Sequence, residues 1–297
     1  MDARKVLTGV AIVVWSGVAL KAAAPHAVSL GHALERSGHE DGPVATCADL
    51  HTRFGGRRMV FQSEQRTISK AEAGTLRIEA ETNGGLQVEG WDQDHYAVTL
   101  CKAAETDSDL AHIHLTFQSG QLGVSGPSSH GEWTSHLLVK APKAASLDLQ
   151  VNNGPVGLYH VEGNVKARAK NGPVTMSGCA GDLDLSTQNG PVTLEGNSGK
   201  LRIEAQNGPM NITLEGTAWS GSGFEAHGNN GPLTVHIPSG YQSGVRVESE
   251  GNGPVQCRSS VCSEGAKNWD DERKSTEFGS GPTVIHLSTV NGPVSVR

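Results

Sequence analysis

Asn171-Gly172-Pro173-Val174-Thr175-Met176 and, eighteen residues on, Asn189-Gly190-Pro191-Val192-Thr193-Leu194 decide how this chain folds. The tripeptide Asn-Gly-Pro occurs seven times, starting at Asn153, Asn171, Asn189, Asn207, Asn230, Asn252 and Asn291, and the first four copies are 18 residues apart. A fixed period of this size marks one structural unit stacked many times. The residue after each copy is Val156, Val174, Val192, Met210, Leu233, Val255 or Val294. The third residue is Leu158, Met176, Leu194, Ile212, Val235, Cys257 or Val296. Between these apolar positions sit Gly157, Thr175, Thr193, Asn211, Thr234, Gln256 and Ser295. Such alternation is the period of a half-buried strand. Upstream of the turns, Leu147, Leu149 and Val151 alternate with polar residues. So do Leu183 and Leu185, Leu201 and Ile203, and Ile285 and Leu287. Each unit therefore reads as strand, Asn-Gly-Pro turn, strand, then a looser turn such as Ser177-Gly178-Cys179-Ala180-Gly181.

The turn residues suit a change of direction. Gly adopts angles other residues avoid, Asn tolerates the left-handed region, and Pro is tolerated at a corner better than in a central strand. Asn-Gly also closes two-residue hairpins, so an antiparallel meander competes with a parallel stack. The polar faces separate the two. One outward position reads Asp148, Lys166, Asp184, Arg202, Glu225, alternating in sign from unit to unit. In parallel register, about 4.8 Å apart, each charge would lie beside two opposite ones. The pattern favours the parallel stack.

The expected fold is thus all-β: a β-solenoid, parallel β-helix-like, with coils of 18 to 23 residues. Its corners are Asn153-Gly154-Pro155, Asn171-Gly172-Pro173, Asn189-Gly190-Pro191 and Asn207-Gly208-Pro209. One coil buries four or five mid-sized side chains at roughly 1.5–3 kcal/mol each, against roughly 1.5 kcal/mol per ordered residue. A lone coil cannot stand, so coils must stack and the ends must be capped.

The 297 residues leave room for one large or two modest domains, and 38 glycines with 4% aromatics suit many tight turns around a thin core. Residues 1–27 read as a signal peptide or N-terminal anchor. Arg4 and Lys5 precede an apolar run from Val6 to Leu20, then small residues at Ala22, Ala23 and Ala24. Residues 28–45 read as a linker, 46–145 as an irregular N-terminal β region of the same solenoid, and 146–297 as the regular repeats. In the irregular region Asn83-Gly84-Gly85 precedes Leu86 and Val88, and Ile113, Leu115 and Phe117 alternate with His112, His114 and Thr116. Without residues 1–27 the net charge moves from −7 to −9, with 21 basic and 30 acidic groups. That speaks against nucleic acid as a partner, because phosphate backbones need a basic surface. It leaves the membrane a role only through the N-terminal segment.

Five cysteines in an exported chain allow disulfides and leave one over. Cys257 is either a buried small residue or half of a loop bridge to Cys262. Cys47 and Cys101 are candidates for a second bridge, and Cys179, in a turn, for the odd thiol.

The segment Asn83-Gly84-Gly85-Leu86-Gln87-Val88-Glu89-Gly90-Trp91-Asp92, followed by Val98 and Leu100, resembles the opening of the bacterial DUF4097 family of adhesin-like proteins. The array of Asn-Gly turns is similar to that family as well. So are Trp219-Ser220-Gly221-Ser222-Gly223-Phe224 and Ile237-Pro238-Ser239-Gly240-Tyr241. The likeness covers roughly residues 47 to 297. Members carry Asn-Gly-Gly where this chain has Asn-Gly-Pro, and the stretch from Arg258 to Lys274 departs from the pattern. The resemblance implies an exported, non-enzymatic β-solenoid of the cell envelope, in the periplasm, on the surface or secreted. It implies no catalytic residues, no cofactor and no particular ligand.

Other residues carry chemistry worth weighing. His112 and His114 share a strand face in this reading and would supply two metal ligands with no third nearby; a solvated face explains them as well. Asp148 and Asp184 with Lys166 and Arg168 hold the ingredients of a polysaccharide lyase or hydrolase, the alternative function. Charge pairing along the stack accounts for the same residues. The outward row Thr175, Thr193, Asn211, Thr234 suits glycan or ordered water, or simply a solvated sheet. Trp91, Trp133, Trp219 and Trp269 fall in turns or insertions, as caps or as binding edges. The favoured partner-binding regions are Trp219, Trp269 and the Arg258–Lys274 stretch, with an envelope glycan or protein as partner.

Overall fold

The alternation becomes two sheets with a shared apolar interior. The structure, a computed structural model, describes residues 12–13, 43–50, 59–80, 84–127, 133–251, 253–264 and 274–297. Ile12–Val13 is a two-residue strand beside Ser63 and Glu64. The rest of the signal-peptide or anchor segment, and residues 28–42 of the linker, lie outside the described residues, as do Asn83, Asn252, Trp269 and the charged run from Asp270 to Arg273.

From Ser146 to His236 the chain lays strands alternately in the two sheets. Ser146–Asn153, Asn164–Asn171, Asp182–Asn189, Ser198–Asn207 and Ser220–Asn230 join a sheet of eleven described strands. Val156–Tyr159, Val174–Ser177, Val192–Gly196, Met210–Leu214 and Leu233–His236 join one of twelve. Every pairing in this stretch is parallel and joins equivalent positions: Val156 to Val174, Val174 to Val192, Val192 to Met210, Met210 to Leu233. The antiparallel meander is thereby excluded for these residues. Inward side chains such as Leu149, Val174, Met176, Leu185, Val192 and Ile212 are buried in one continuous cluster. The longer step from Met210 to Leu233 accommodates an insertion around Trp219.

At Asn153, Asn171, Asn189, Asn207, Asn230 and Asn291 a strand of one sheet ends, and the strand that begins after the following Gly-Pro belongs to the other sheet. Gly154 N–H donates to the Asn171 carbonyl at 2.8 Å and Val156 N–H to the Pro173 carbonyl at 2.9 Å. The same two bonds recur from Gly172 to Asn189 and from Val174 to Pro191, both at 2.9 Å. The donors are Gly and the residue after Pro, so the missing N–H of Pro breaks no rung. Gly172, Gly190 and Gly208 have φ of 139°, 140° and 140°. A Cβ on Gly190 would lie 2.1 Å from the Gly172 carbonyl oxygen. Glycine is therefore required both for its conformation and for the approach of coil to coil.

The asparagine does something else. Among described residues the positive-φ positions other than glycine are Ser119 and His160, so these asparagines do not use the left-handed region. Their side-chain amides instead form a ladder: Asn171 Nδ2 donates to Asn153 Oδ1 at 2.9 Å, Asn189 to Asn171 at 2.9 Å, Asn207 to Asn189 at 3.1 Å, Asn230 to Asn207 at 3.0 Å and Asn291 to Asn230 at 3.0 Å.

The outward charges lie in the expected register and extend further than the repeats. Across the eleven-stranded sheet the row reads Arg77, Asp148, Lys166, Asp184, Arg202, Glu225, His286, Arg246, Glu277. Within the row Arg202 lies 4.0 Å from Glu225 and Arg246 3.8 Å from Glu277, and shorter pairs reach off it. Arg168 meets Asp148 at 3.6 Å, Arg202 meets Glu204 at 2.7 Å and Arg246 meets Glu248 at 3.1 Å. Long side chains reach sideways as readily as along the ladder, and such exposed pairs contribute about 0–1 kcal/mol each.

Both ends depart from the repeat. Thr75–Ala80 and Gly84–Trp91 make one strand pair in stack register, Leu76 beside Leu147 and Leu86 beside Val156. Beyond Gly84–Trp91 lie Trp133–Pro142, parallel to it, then His95–Ala104 and Val60–Ser69, each antiparallel to its neighbour. On the other sheet His114–Gln118 and Gln121–Ser125 form a hairpin through Ser119 and Gly120. His112 sits in a turn before that hairpin, its Nδ1 2.7 Å from the Ser108 carbonyl, so His112 and His114 do not share a strand face. The helical turn Asp107–Leu110, capped by Thr106, displaces the strand start to His114. At the far end the order in space differs from the order in sequence. Thr283–Asn291 lies between Ser220–Asn230 and Gly244–Ser249, and Val294–Val296 between Leu233–His236 and Val255–Cys257.

Disulfides join Cys47 to Cys101 and Cys257 to Cys262, and Cys179 is the buried free thiol. Burial pushes the Cys179 thiol up to about 11.

Candidate functional site

The antiparallel strands at the N-terminal end position a concave surface. Val60–Ser69, His95–Ala104 and Trp133–Pro142 turn one face to the core through Ile68, Val98, Leu100, Leu137 and Val139. Among the described residues no second sheet covers their outer face. A groove of about 1350 Å³ crosses it, lined among others by Phe61, Gln65, Thr67, Thr99, His136 and Leu138. Phe61 is 52% exposed and is the exposed large apolar side chain among the described residues. It stands in line with Ser63, Gln65 and Thr67, the polar phase of its strand.

The segment Pro43–Leu50 lies against this face and is fixed there twice. Cys47 is bonded to Cys101 of the central strand. The Gln87 side-chain amide grips the backbone of Val44, accepting from its N–H at 2.7 Å and donating to its carbonyl at 2.8 Å. Gln87 is buried, so both bonds are needed to offset its desolvation. His136 is packed with its ring over Gly85, where even a Cβ would come within 2.3 Å. Burial pushes the His136 ring down to about 4, so it is neutral at ordinary pH.

Lys102, which also lines the groove, points its ammonium into a polar cluster. Nζ donates to the Ile113 carbonyl at 2.6 Å and lies 3.8 Å from Glu64, which also faces His114 at 3.6 Å. Burial lowers the Lys102 ammonium, opposed by the Glu64 charge. The cluster anchors the hairpin that begins at His114; it is not aligned for proton transfer to a groove-bound molecule. Near the mouth, Trp91 is half-buried, donates from Nε1 to the His95 carbonyl at 2.9 Å and lies under Lys140, 5.9 Å from its ring centre.

The residues singled out from sequence fall elsewhere. Trp219 is buried, stacked on Phe224 at 5.5 Å, with Nε1 donating to the Gly199 carbonyl at 3.0 Å. Its indole packs a corner and is not offered as a binding edge, because a large ring covers the gap left by the insertion. Trp269 lies outside the described residues, and the Cys257–Cys262 bridge closes a short loop at the rod's end. Thr175, Thr193, Asn211 and Thr234 do form one ladder in register. Asp184 with Lys166, Arg168, Arg202 and Glu204 lines a shallow recess of about 430 Å³ on the other sheet, where Asp148 is engaged by Arg168 and Glu204 by Arg202. Among the described residues no group of three metal-ligating side chains converges.

The groove was missed by sequence reasoning because its residues belong to strands far apart in the chain. The one available signal was Phe61 on the polar phase of its strand.

No family model matches this chain, and no curated protein matches it either. Among solved structures it is similar to a candidate cell adhesion protein from Clostridium sporogenes, at 9% identity over 79% of this chain and 97% of that one, with a TM-score of 0.36. It is similar as well to candidate adhesins from Parabacteroides merdae (11% identity, 82% and 97% covered, TM-score 0.34) and Bacteroides fragilis (11%, 81% and 97%, TM-score 0.29). Likenesses this distant support no inference about the activity of this chain.

Proposed function

We propose that this chain is an exported, non-enzymatic, adhesin-like protein of the bacterial cell envelope: a two-sheeted β-solenoid with Asn-Gly-Pro corners that carries a binding groove at its N-terminal end. The observation that carries the binding reading is the groove beside Phe61. An exposed aromatic ring in line with Ser63, Gln65 and Thr67, beside Thr99 and apolar residues such as Met59 and Leu138, with Arg66 and Lys140 also lining the groove, suits an extended envelope glycan. Aromatic rings pack on the apolar faces of sugars, and amides meet their hydroxyls. The non-enzymatic reading is supported by charge pairing: of the two carboxylates of the lyase-like arrangement, Asp148 is ion-paired with Arg168, and Asp184 lies in the cross-strand row between Lys166 and Arg202. The DUF4097 resemblance points the same way.

The test is retention of purified protein by isolated envelope polysaccharide, compared with Phe61→Asp and Gln65→Ala. Binding that weakens tenfold or more in Phe61→Asp, with an unchanged melting temperature, is expected. Retention indifferent to both substitutions removes the groove from the reading. Binding to protease-sensitive envelope material instead makes the partner a protein. Protease shaving of intact cells tests whether the rod is outside or inside the envelope.

A further inference from the structure

A strand at the end of a sheet leaves a row of backbone groups unpaired, and proteins blunt such edges with short strands, lysine, proline or bulges. Among the described residues the two sheets have four ends, and three of them are blunted. Val255–Cys257 has three residues, follows Pro254 and leads into the loop closed by the Cys257–Cys262 bond. Lys274–Phe278 has five residues and opens on lysine. His114–Gln118 also has five and belongs to a tight hairpin.

The fourth end is different. Val60–Ser69 has ten residues and pairs with His95–Ala104 without a break in register, from Val60 beside Ala104 to Ser69 beside His95. It contains no proline and no lysine. Its two charged side chains are occupied away from the edge. Glu64 lies 3.8 Å from Lys102 and 3.6 Å from His114, and Arg66 lies over the Phe117 ring, 5.1 Å from its centre. Phe61 stands exposed on the same strand. Against the outer side of this strand lie two antiparallel rungs, Ile12 beside Glu64 and Val13 beside Ser63.

Ile12 and Val13 belong to the apolar run from Val6 to Leu20. We propose that the outer edge of Val60–Ser69 is a strand-acceptor site and that this run is its occupant while it remains attached. Main-chain hydrogen bonds supply the affinity of an added strand, and its alternate side chains supply the choice. The rungs at Ile12 and Val13 set the register. Continued in both directions, that register brings Ala11 opposite Gln65 and Trp15 opposite Phe61. Aromatic rings directly opposed across an antiparallel pair favour such an alignment. Removal of the run leaves the edge open. Where the groove binds as proposed above, the run and the ligand share Phe61, so a chain that keeps the run holds its ligand less well.

Filling of the edge is read without any groove ligand, so its failure and that of the glycan reading are separate. The full chain, refolded under oxidising conditions so that residues 1–27 stay attached, is compared by amide hydrogen exchange with Ile12→Pro/Val13→Pro. Proline has no N–H and resists pairing in a ladder, and neither residue belongs to the stack. The alternate amides of Val60–Ser69 that face outward are expected to exchange about tenfold more slowly in the parent chain, with exchange around Val192 the same in both. A peptide of residues 2–21 added to the proline variant is expected to restore the slow exchange. Equal exchange at Val60–Ser69 in the parent and the proline variant overturns the proposal. Restoration by a scrambled peptide as readily as by the native one overturns the run as the occupant and leaves an edge that takes any apolar strand, that of a partner protein included.

Discussion

The repeat stack from Ser146 to His236 and the antiparallel strands at the N-terminal end reach stability by different routes. In the stack every coil does what its neighbours do: glycine on glycine, asparagine on asparagine, Val192 between Val174 and Met210. Each contact is repeated, and a local error is felt by two neighbouring coils. The N-terminal end holds together through contacts made once: the Cys47–Cys101 bond, the Gln87 grip on Val44, the Lys102–Glu64 pair. Repetition favours rigidity and leaves flat, self-satisfied faces. Unique contacts leave an uneven surface, and the groove lies there.

The sharpest break in that comparison is Val192→Asp. Val192 is fully buried between two coils, and an unpaired carboxylate there is expected to cost several kcal/mol and to abolish the cooperative unfolding of the stack. Thr193→Asp, one residue away on the outer face, is expected to change stability by about 0.5 kcal/mol or less. Chemical denaturation of both variants checks the pair, and equal losses would end the inward–outward assignment. Next in size is Cys101→Ser, expected to cost about 2–4 kcal/mol. The loss should be confined to the N-terminal end: amide exchange should quicken in Val60–Ser69 and stay unchanged around Val192.

A third test uses pH. The unfolded chain protonates His136 near 6.5, whereas burial holds the folded ring at about 4. Between those values the unfolded state binds the extra proton, so stability present above pH 6.5 is lost as pH falls toward 4. The loss amounts to at most about 3 kcal/mol. His136→Gln should flatten a melting-temperature profile in that window, and a profile of unchanged slope would show that His136 is not the group responsible. Apart from the Thr193→Asp control, the smallest effect expected is that of Asn189→Ala, which removes two exposed amide bonds and should cost about 1 kcal/mol in the stack without altering the groove.

The stack was legible because its period forces the register. Once Val174 and Val192 are equivalent, alternate burial follows, and the alternating charges from Asp148 to Glu225 favour parallel pairing over a meander. The ends were not, because nothing local distinguishes them. Ile285 and Leu287 look like any other coil, and no residue among them announces that Gly244–Ser249 will be their outer neighbour. The antiparallel match of Val60–Ser69 to His95–Ala104 is equally non-local. The asparagine ladder was hidden for a different reason. The residue was noticed for a backbone conformation that glycine supplies instead. At Trp219 the sequence offered both readings, and the burial of the indole against Phe224 decides for packing.

Asn-Gly is also the dipeptide in which proteins age chemically. The glycine nitrogen attacks the asparagine side-chain carbonyl, ammonia leaves, and hydrolysis of the ring gives aspartate or isoaspartate. In this rod both reacting groups are occupied. The Gly172 and Gly190 nitrogens are bonded to the carbonyls of Asn189 and Asn207, and the Asn171 and Asn189 amides are tied into the ladder. The folded stack should therefore keep its amides far longer than the unfolded chain, which presents all eight Asn-Gly pairs at once. A turn prone to chemical ageing is thus preserved by its own neighbours in the stack.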